Sequence, residues 1–125
     1  MAQQPRLDVR ELRESLWLIE TYGEHDLASN DLLVAALDQV ARTGTTVVVD
    51  FSEAIFIDSS VIRTLVEQAH GRPDERDDWI AVVAREGTEP RRLFDLVNAQ
   101  AFLRVFDSRE AALTAVAPLE HQARE

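Results

Sequence analysis

Cysteine and lysine are both missing from this chain of 125 residues. Without cysteine there is no disulfide, no thiolate nucleophile and no cysteine-ligated metal, a pattern that fits a reducing compartment. Without lysine there is no phosphate-loop lysine, no Schiff base and no lysine general base; all 13 basic residues are arginine. Glycine and proline are sparse, four of each, and no glycine-rich dinucleotide or phosphate loop can be assembled from them. The apolar runs are too short to span a bilayer. Arg6, Asp8, Arg10 and Glu11 interrupt the N-terminal stretch where a secretory signal needs an apolar segment. A soluble, cytoplasmic protein without membrane insertion is the expectation.

What the chain does contain points to one acidic domain. A hydrophobic content of 46% over this length supports a single modest core. Asp and Glu total 23 against the 13 arginines, a formal charge of −10, and such a surface repels phosphate backbones, which argues against direct nucleic-acid binding. The histidines at 25, 70 and 121 have no close ligand spacing, so no metal is expected.

Hydrophobic periodicity divides the chain into alternating elements. Leu7–Leu12 and Leu16–Thr21 read as two short strands, and Gly23-Glu24-His25-Asp26 reads as a polar turn. A helix is expected over Ser29–Ala41, with Leu32, Leu33, Ala36, Leu37 and Val40 forming its apolar stripe. Thr43-Gly44 ends it, and Thr45–Phe51 is a continuous β-branched run suited to a central strand buried on both faces. A second helix over Ser59–Ala69 turns Ile62, Leu65, Val66 and Ala69 inward, leaving Val61, Thr64 and Gln68 near its start or outer side. After a charged loop at Gly71–Asp78, Trp79–Ala84 returns as a strand. Pro90 suits the first turn of a helix that faces the sheet through Leu93, Phe94 and Val97. Leu103–Phe106 is a short edge strand, and Asp107 or Ser108 caps a last helix with Ala112, Ala115, Val116 and Leu119 in line. The order is β-β-α-β-α-β-α-β-α, an α/β domain over residues 7–119 with flexible termini at 1–6 and 120–125. Helix-length crossovers from Thr45 onward imply parallel pairing, with the N-terminal strand pair as an antiparallel edge.

The polar residues of interest cluster where strands give way to helices. Asp58-Ser59-Ser60 follows an apolar segment and opens a helix, so Asp58 suits an N-cap accepting an N–H from Ser60 or Val61. An ordered Asp58 would present Ser59 at the helix entrance, which makes Ser59 the first candidate phosphate acceptor and Ser60 the second; simple capping explains the same pair. A phosphate there would add roughly −1.5 to −2 charges to an acidic surface and favour partner release over unfolding. Asp50 falls near the C-terminal end of the central strand, a common location for α/β sites, with capping or loop hydrogen bonding as the plain alternative. A response-regulator phosphoacceptor at Asp50 would need a later lysine, which the chain lacks. Glu24, His25 and Asp26 can form a docking rim beside Ser59 or a solvated turn. Neither serine lies in a G-x-S-x-G turn. Arg91-Arg92 suits a solvated helix face as well as recognition, and Trp17 and Trp79 suit the core.

These segments resemble the STAS domain of the anti-sigma-factor antagonist (anti-anti-sigma) family. Gly23-Glu24-His25-Asp26-Leu27, Val47-Val48-Val49-Asp50-Phe51-Ser52 leading to Phe56-Ile57-Asp58-Ser59-Ser60, and Pro90-Arg91-Arg92-Leu93-Phe94-Asp95-Leu96 carry the resemblance, which extends over about Leu7–Leu119. It implies a small mixed sheet packed against four helices and a protein-binding role without catalysis. The unphosphorylated antagonist would capture an anti-sigma factor that is also a serine kinase, freeing a sigma factor for transcription. Phosphorylation of Ser59 would release it, and a serine/threonine phosphatase would reset it. ATP would belong to the partner, so no cofactor is implied here. The implied switch surface comprises Glu24, His25, Asp26, Asp50, Asp58, Ser59, Ser60 and Val61. Two residues depart from the family's pattern: Val61 stands where glycine commonly follows the two serines, and His25 replaces an apolar residue. Related STAS domains act as non-switching scaffolds of stress-signalling assemblies or as accessory parts of ABC-type transport systems, which is the alternative function.

Overall fold

Five of the six residues from Thr46 to Phe51 are β-branched or aromatic, a composition that fits a pleated, fully covered strand. The computed structural model describes residues 4–43, 46–71 and 79–124, with side chains of the last helix through Val116. In it, β3 (Thr46–Ile57) is the centre of a five-stranded sheet and its first six residues are all buried. The other strands are β1 (Arg6–Arg13), β2 (Leu16–His25), β4 (Ile80–Val83) and β5 (Arg104–Phe106), in the spatial order β1-β2-β3-β4-β5. β1 and β2 form an antiparallel edge pair, and every later pairing is parallel.

Strand order decides where the helices go. α1 (Asn30–Ala41), α2 (Ser59–His70) and α3 (Glu89–Leu96) each bridge neighbouring parallel strands. Because the sheet is filled in one direction, crossovers of one hand place all three helices on the same face. Leu33, Leu37 and Val40 of α1, Val61, Ile62 and Leu65 of α2, and Phe94 of α3 pack there on Ile19, Val47, Val49, Phe51, Ile80 and Val82. The Phe51 and Phe94 rings meet at 5.8 Å and 54°, a tilted aromatic pair. Among the described residues α4 (Arg109–Arg124) is the helix on the opposite face, with Ala112 and Val116 on Leu16, Leu18, Val48, Ala81 and Val83. Full burial of a valine such as Val48 contributes about 1.5 kcal/mol or more. The expected mixed sheet with four helices, in the order β-β-α-β-α-β-α-β-α, is the fold observed.

Two strands run further than the sequence pattern predicts. The pattern stops β2 at Thr21 and β3 at Phe51, whereas the ladder between them continues to His25 and Ile57. Two register shifts explain the discrepancy: Glu20 pairs with Asp50 but Tyr22 with Glu53, and Gly23 pairs with Ala54 but Glu24 with Phe56. Each shift puts one extra residue in β3, a bulge that breaks strict alternation without ending the pairing. Gly23 has φ +80° at the second shift, a conformation that costs a glycine little and a side-chain residue considerably more. The predicted polar turn at Gly23–Asp26 is therefore strand through His25.

Several side chains face differently from the helical stripes assigned to them. Leu32 is exposed because α1 turns Leu33, Ala36, Leu37 and Val40 to the sheet. Val97 is exposed because it caps α3, just before Asn98 turns left-handed at φ 54°. Val61 and Thr64 are buried, the capped first turn of α2 rotating them inward, and Asn30 Nδ2 donates to Thr64 Oγ1 across the α1–α2 contact. Trp79 is in the core as expected, its indole N–H on the Gln68 carbonyl at 3.2 Å, while Trp17 is half-buried against it. Of the two candidate caps for the last helix, Ser108 accepts the Ala111 N–H at 3.1 Å, and Asp107 instead accepts that of Glu86 at 2.7 Å. Residues 44–45, the charged loop at 72–78 and the side chain of Leu119 lie outside the described residues.

Candidate functional site

A carboxylate on the central strand stands where the long β2–β3 extension begins. Asp50 sits at the first register shift and is 3% exposed. One oxygen accepts the Ser52 N–H at 2.8 Å, a donor that the bulge removes from the ladder, and the other accepts Arg109 Nε at 2.8 Å. The Asp50 carbonyl accepts the Thr21 hydroxyl at 3.0 Å. Arg109 also reaches Glu20 at 2.6 Å, so the first residue of α4 is tied to both β2 and β3. A buried charge tolerates this position only because it is paired and hydrogen-bonded. Asp50 is therefore buried and ion-paired within the fold, contrary to its expected place on the switch surface.

Beyond that bulge, the two strands deliver two loops to one point. Asp58 N–H donates to the His25 carbonyl at 3.1 Å, closing the end of the β2–β3 ladder. The Asp58 carboxylate then divides its oxygens between two helices. Oδ1 accepts the Ser60 N–H at 3.0 Å and the Ser60 hydroxyl, capping α2. Oδ2 accepts the Leu27 N–H at 3.1 Å, at the start of a single 3-10 turn over Leu27–Ser29. That turn has its own capping box: Asp26 accepts the Ser29 N–H at 3.0 Å, and Ser29 Oγ accepts the Asp26 N–H at 3.0 Å. An N-cap of this kind is worth about 1 kcal/mol, and Asp58 additionally joins two segments 31 residues apart.

The two serines differ in availability. Ser60 is half-buried and its hydroxyl is engaged by Asp58, whereas Ser59 is exposed and its hydroxyl makes no hydrogen bond among the described residues. Val61 is 1% exposed and belongs to the core, so it shapes the helix entrance from below instead of lining a surface. His25 is likewise interior, at 3% exposure, with Nε2 donating to the Tyr22 carbonyl at 2.9 Å. Glu24 is half-exposed and Asp26 exposed. Of the eight residues proposed from sequence, Glu24, Asp26, Asp58, Ser59 and Ser60 share one accessible corner, whereas His25, Asp50 and Val61 are buried, Asp50 well down the ladder from it.

Burial pushes the His25 imidazole below its usual 6.5, an effect larger than the opposing pull of the Tyr22 carbonyl and Asp26. The folded chain thus takes up this proton less readily than the unfolded chain. Its contribution to stability is complete above about 6.5 and is lost as pH falls through that value towards the lower folded-state pKa. Between pH 7.5 and 5.5, the thermal midpoint of the wild type is expected to fall more steeply than that of His25→Gln, whose amide can keep the bond to Tyr22. Parallel pH profiles for the two proteins would refute this assignment.

The corner also carries apolar side chains that sequence reasoning missed. Leu27, Ile55 and Phe56 are 72%, 52% and 41% exposed. Ile55 and Phe56 belong to the apolar segment before Asp58, and they lie at the second bulge, opposite Gly23 and Glu24. A cluster of exposed large apolar residues beside polar groups is typical of a protein-docking surface. The arginines of α3, by contrast, are engaged within the fold. Arg91 holds Asp95 at 3.1 Å and the Ala84 carbonyl at 3.1 Å, and Arg92 holds Glu89 at 3.5 Å.

Among the described residues no three metal-ligating side chains converge, and no helix is long and apolar enough to cross a membrane. The fold resembles that of an anti-sigma factor antagonist from Mycobacterium paratuberculosis, with a TM-score of 0.80 at 24% identity, covering 90% of this chain and 94% of that one. The unphosphorylated form of the anti-sigma factor antagonist SpoIIAA gives a TM-score of 0.68 at 16% identity, over 89% of this chain and 96% of its own. The phosphorylated form of the Bacillus cell fate determinant SpoIIAA gives 0.62 at 16%, over 89% and 99%. At these identities the likeness establishes the fold. No curated protein matches the chain in sequence at a significant level. Residues 9–112 match the family model of the STAS domain, and the chain accordingly belongs to the STAS domain family, whose members are regulatory and non-catalytic.

Proposed function

We propose that this STAS domain, a single unit over residues 7–119, is a cytoplasmic anti-sigma-factor antagonist that switches partners through Ser59. Unphosphorylated, it binds an anti-sigma factor and so releases a sigma factor for transcription. The anti-sigma factor is also a serine kinase. It transfers the γ-phosphoryl group of its own bound ATP to Ser59 Oγ; the P–O bond to ADP breaks and the hydroxyl proton departs. A phosphatase hydrolyses the phosphoserine to restore the binding form. The observation that carries this reading is the unengaged, exposed Ser59 hydroxyl beside Leu27, Ile55 and Phe56, at a junction pinned by Asp58. A phosphate at that point would put a hydrated dianion against an apolar contact, where the cost of removing it from water opposes docking. Both phosphorylation states of SpoIIAA adopt this fold, which supports a switch that acts on the surface without unfolding the domain.

Affinity capture from native lysate with Ser59→Ala and Ser59→Asp baits tests the reading. The alanine bait is expected to retain an ATP-binding anti-sigma kinase that the aspartate bait loses. Equal recovery of a transport ATPase or a large signalling assembly by both baits would instead identify a constitutive interaction subunit.

A further inference from the structure

Ser59 has a cation on its own helix. It is the first residue of α2, and Arg63 follows four residues later. The inward face of α2 is filled by Val61, Ile62, Thr64, Leu65 and Ala69, which leaves positions 59 and 63 on adjacent turns of the outer face. Both are exposed. Residues at this spacing have Cβ atoms about 5–6 Å apart, within easy reach of a guanidinium group.

Most of the described arginines are engaged within the fold, and Arg63, like Arg85, is not. Arg10, Arg91, Arg92 and Arg109 each hold a carboxylate, and Arg42 holds a backbone carbonyl. Arg63 makes no hydrogen bond or ion pair with any described residue. It does not pair even with Glu67, the next exposed acid along the same face. A carboxylate C-terminal to its cation is the weaker order for a helical ion pair, whereas an anion at i with a cation at i+4 is the stronger. Ser59 supplies that favourable order as soon as it carries a phosphate.

Resting on the reading of Ser59 as the phosphate acceptor, we propose that Arg63 is the intramolecular partner of that phosphate, folding it against the outer face of α2. Guanidinium and phosphate match as a planar fork and a set of strong acceptors, and they form bidentate pairs. Phosphorylation then changes the surface twice. It adds an anion at Ser59, and it withdraws the free Arg63 cation from any acidic group of the partner that used it. An otherwise acidic chain of net charge −10 has few such cations to offer.

The test installs phosphoserine at position 59 by nonsense suppression, without any kinase, and follows the phosphate by ³¹P NMR through a pH titration. The second ionisation of the phosphate is expected about 0.3 unit lower in the wild type than in Arg63→Gln. The difference should shrink at high salt, and Arg63→Lys should recover part of it because it keeps the charge but not the fork. Superimposable titrations of the wild type and Arg63→Gln, with both proteins folded by circular dichroism, would overturn the pairing and leave the Ser59 switch standing. A phosphoserine that has no effect on partner binding would overturn the switch and leave the Arg63 result intact.

Discussion

Arg109→Ala is expected to destabilise the domain by about 3 kcal/mol, read as a lowered midpoint of urea unfolding at unchanged slope. Removing the guanidinium strands Asp50, which is 3% exposed and keeps only the Ser52 N–H. Breaking a buried pair costs about 3–5 kcal/mol because an uncompensated charge remains. The Arg109 side chain is 36% exposed, so water admitted to the site keeps the cost at the lower end. Glu20 retains Arg10 at 3.6 Å and suffers less. A cation at the first residue of a helix opposes the helix dipole, so the ion pair, not helix preference, accounts for an arginine there. Adding Asp50→Asn to Arg109→Ala should recover part of the loss, since the amide keeps an acceptor for Ser52 without the charge. An Arg109→Ala protein as stable as the wild type would show that the pair contributes nothing. The functional consequence would be local first: amide exchange at Ser52 and along the β2–β3 extension should accelerate before the rest of the sheet.

Phosphorylation of Ser59 is expected to weaken binding of the anti-sigma partner at least tenfold, or about 1.4 kcal/mol, with Ser59→Ala binding as tightly as the wild type. Ser59→Asp should fall between them, since one carboxylate adds a single charge where phosphate adds roughly −1.5 to −2. The loss should reside mainly in a faster dissociation rate, because an anion confronting Leu27, Ile55 and Phe56 must be desolvated in the complex. The fold should persist, since Asp58 still caps α2 and still holds Leu27. Calorimetric titration of the partner with stoichiometrically phosphorylated and unmodified protein measures the ratio. Equal affinities would sink the switch, and an unfolded phosphoprotein would sink the account of it as a surface event.

The element order was legible in the sequence because helix and strand periods differ and because Thr46–Phe51 has the composition of a central strand. The Asp58 cap was legible for the same local reason: an N-cap is decided by a residue and the next two or three. Local rules also found both halves of the candidate corner, Glu24–Asp26 and Asp58–Ser60. They did not reveal that one carboxylate joins them, since the Asp58–Leu27 bond spans 31 residues and forms only when β2 and β3 end together.

Tertiary structure alone decided depth. Asp50, His25 and Val61 have sequence signatures compatible with a surface role, yet the sheet and α4 enclose the first and the two strand ends and α2 enclose the others. It also decided that Ile55 and Phe56 look outward, because a bulge turns a continuous apolar run to solvent without altering its composition. The physical reason is common to all of these. Periodicity reports which residues share a face of one element, whereas register, bulges and long-range ion pairs fix which faces are covered, and those depend on chain segments far apart in sequence.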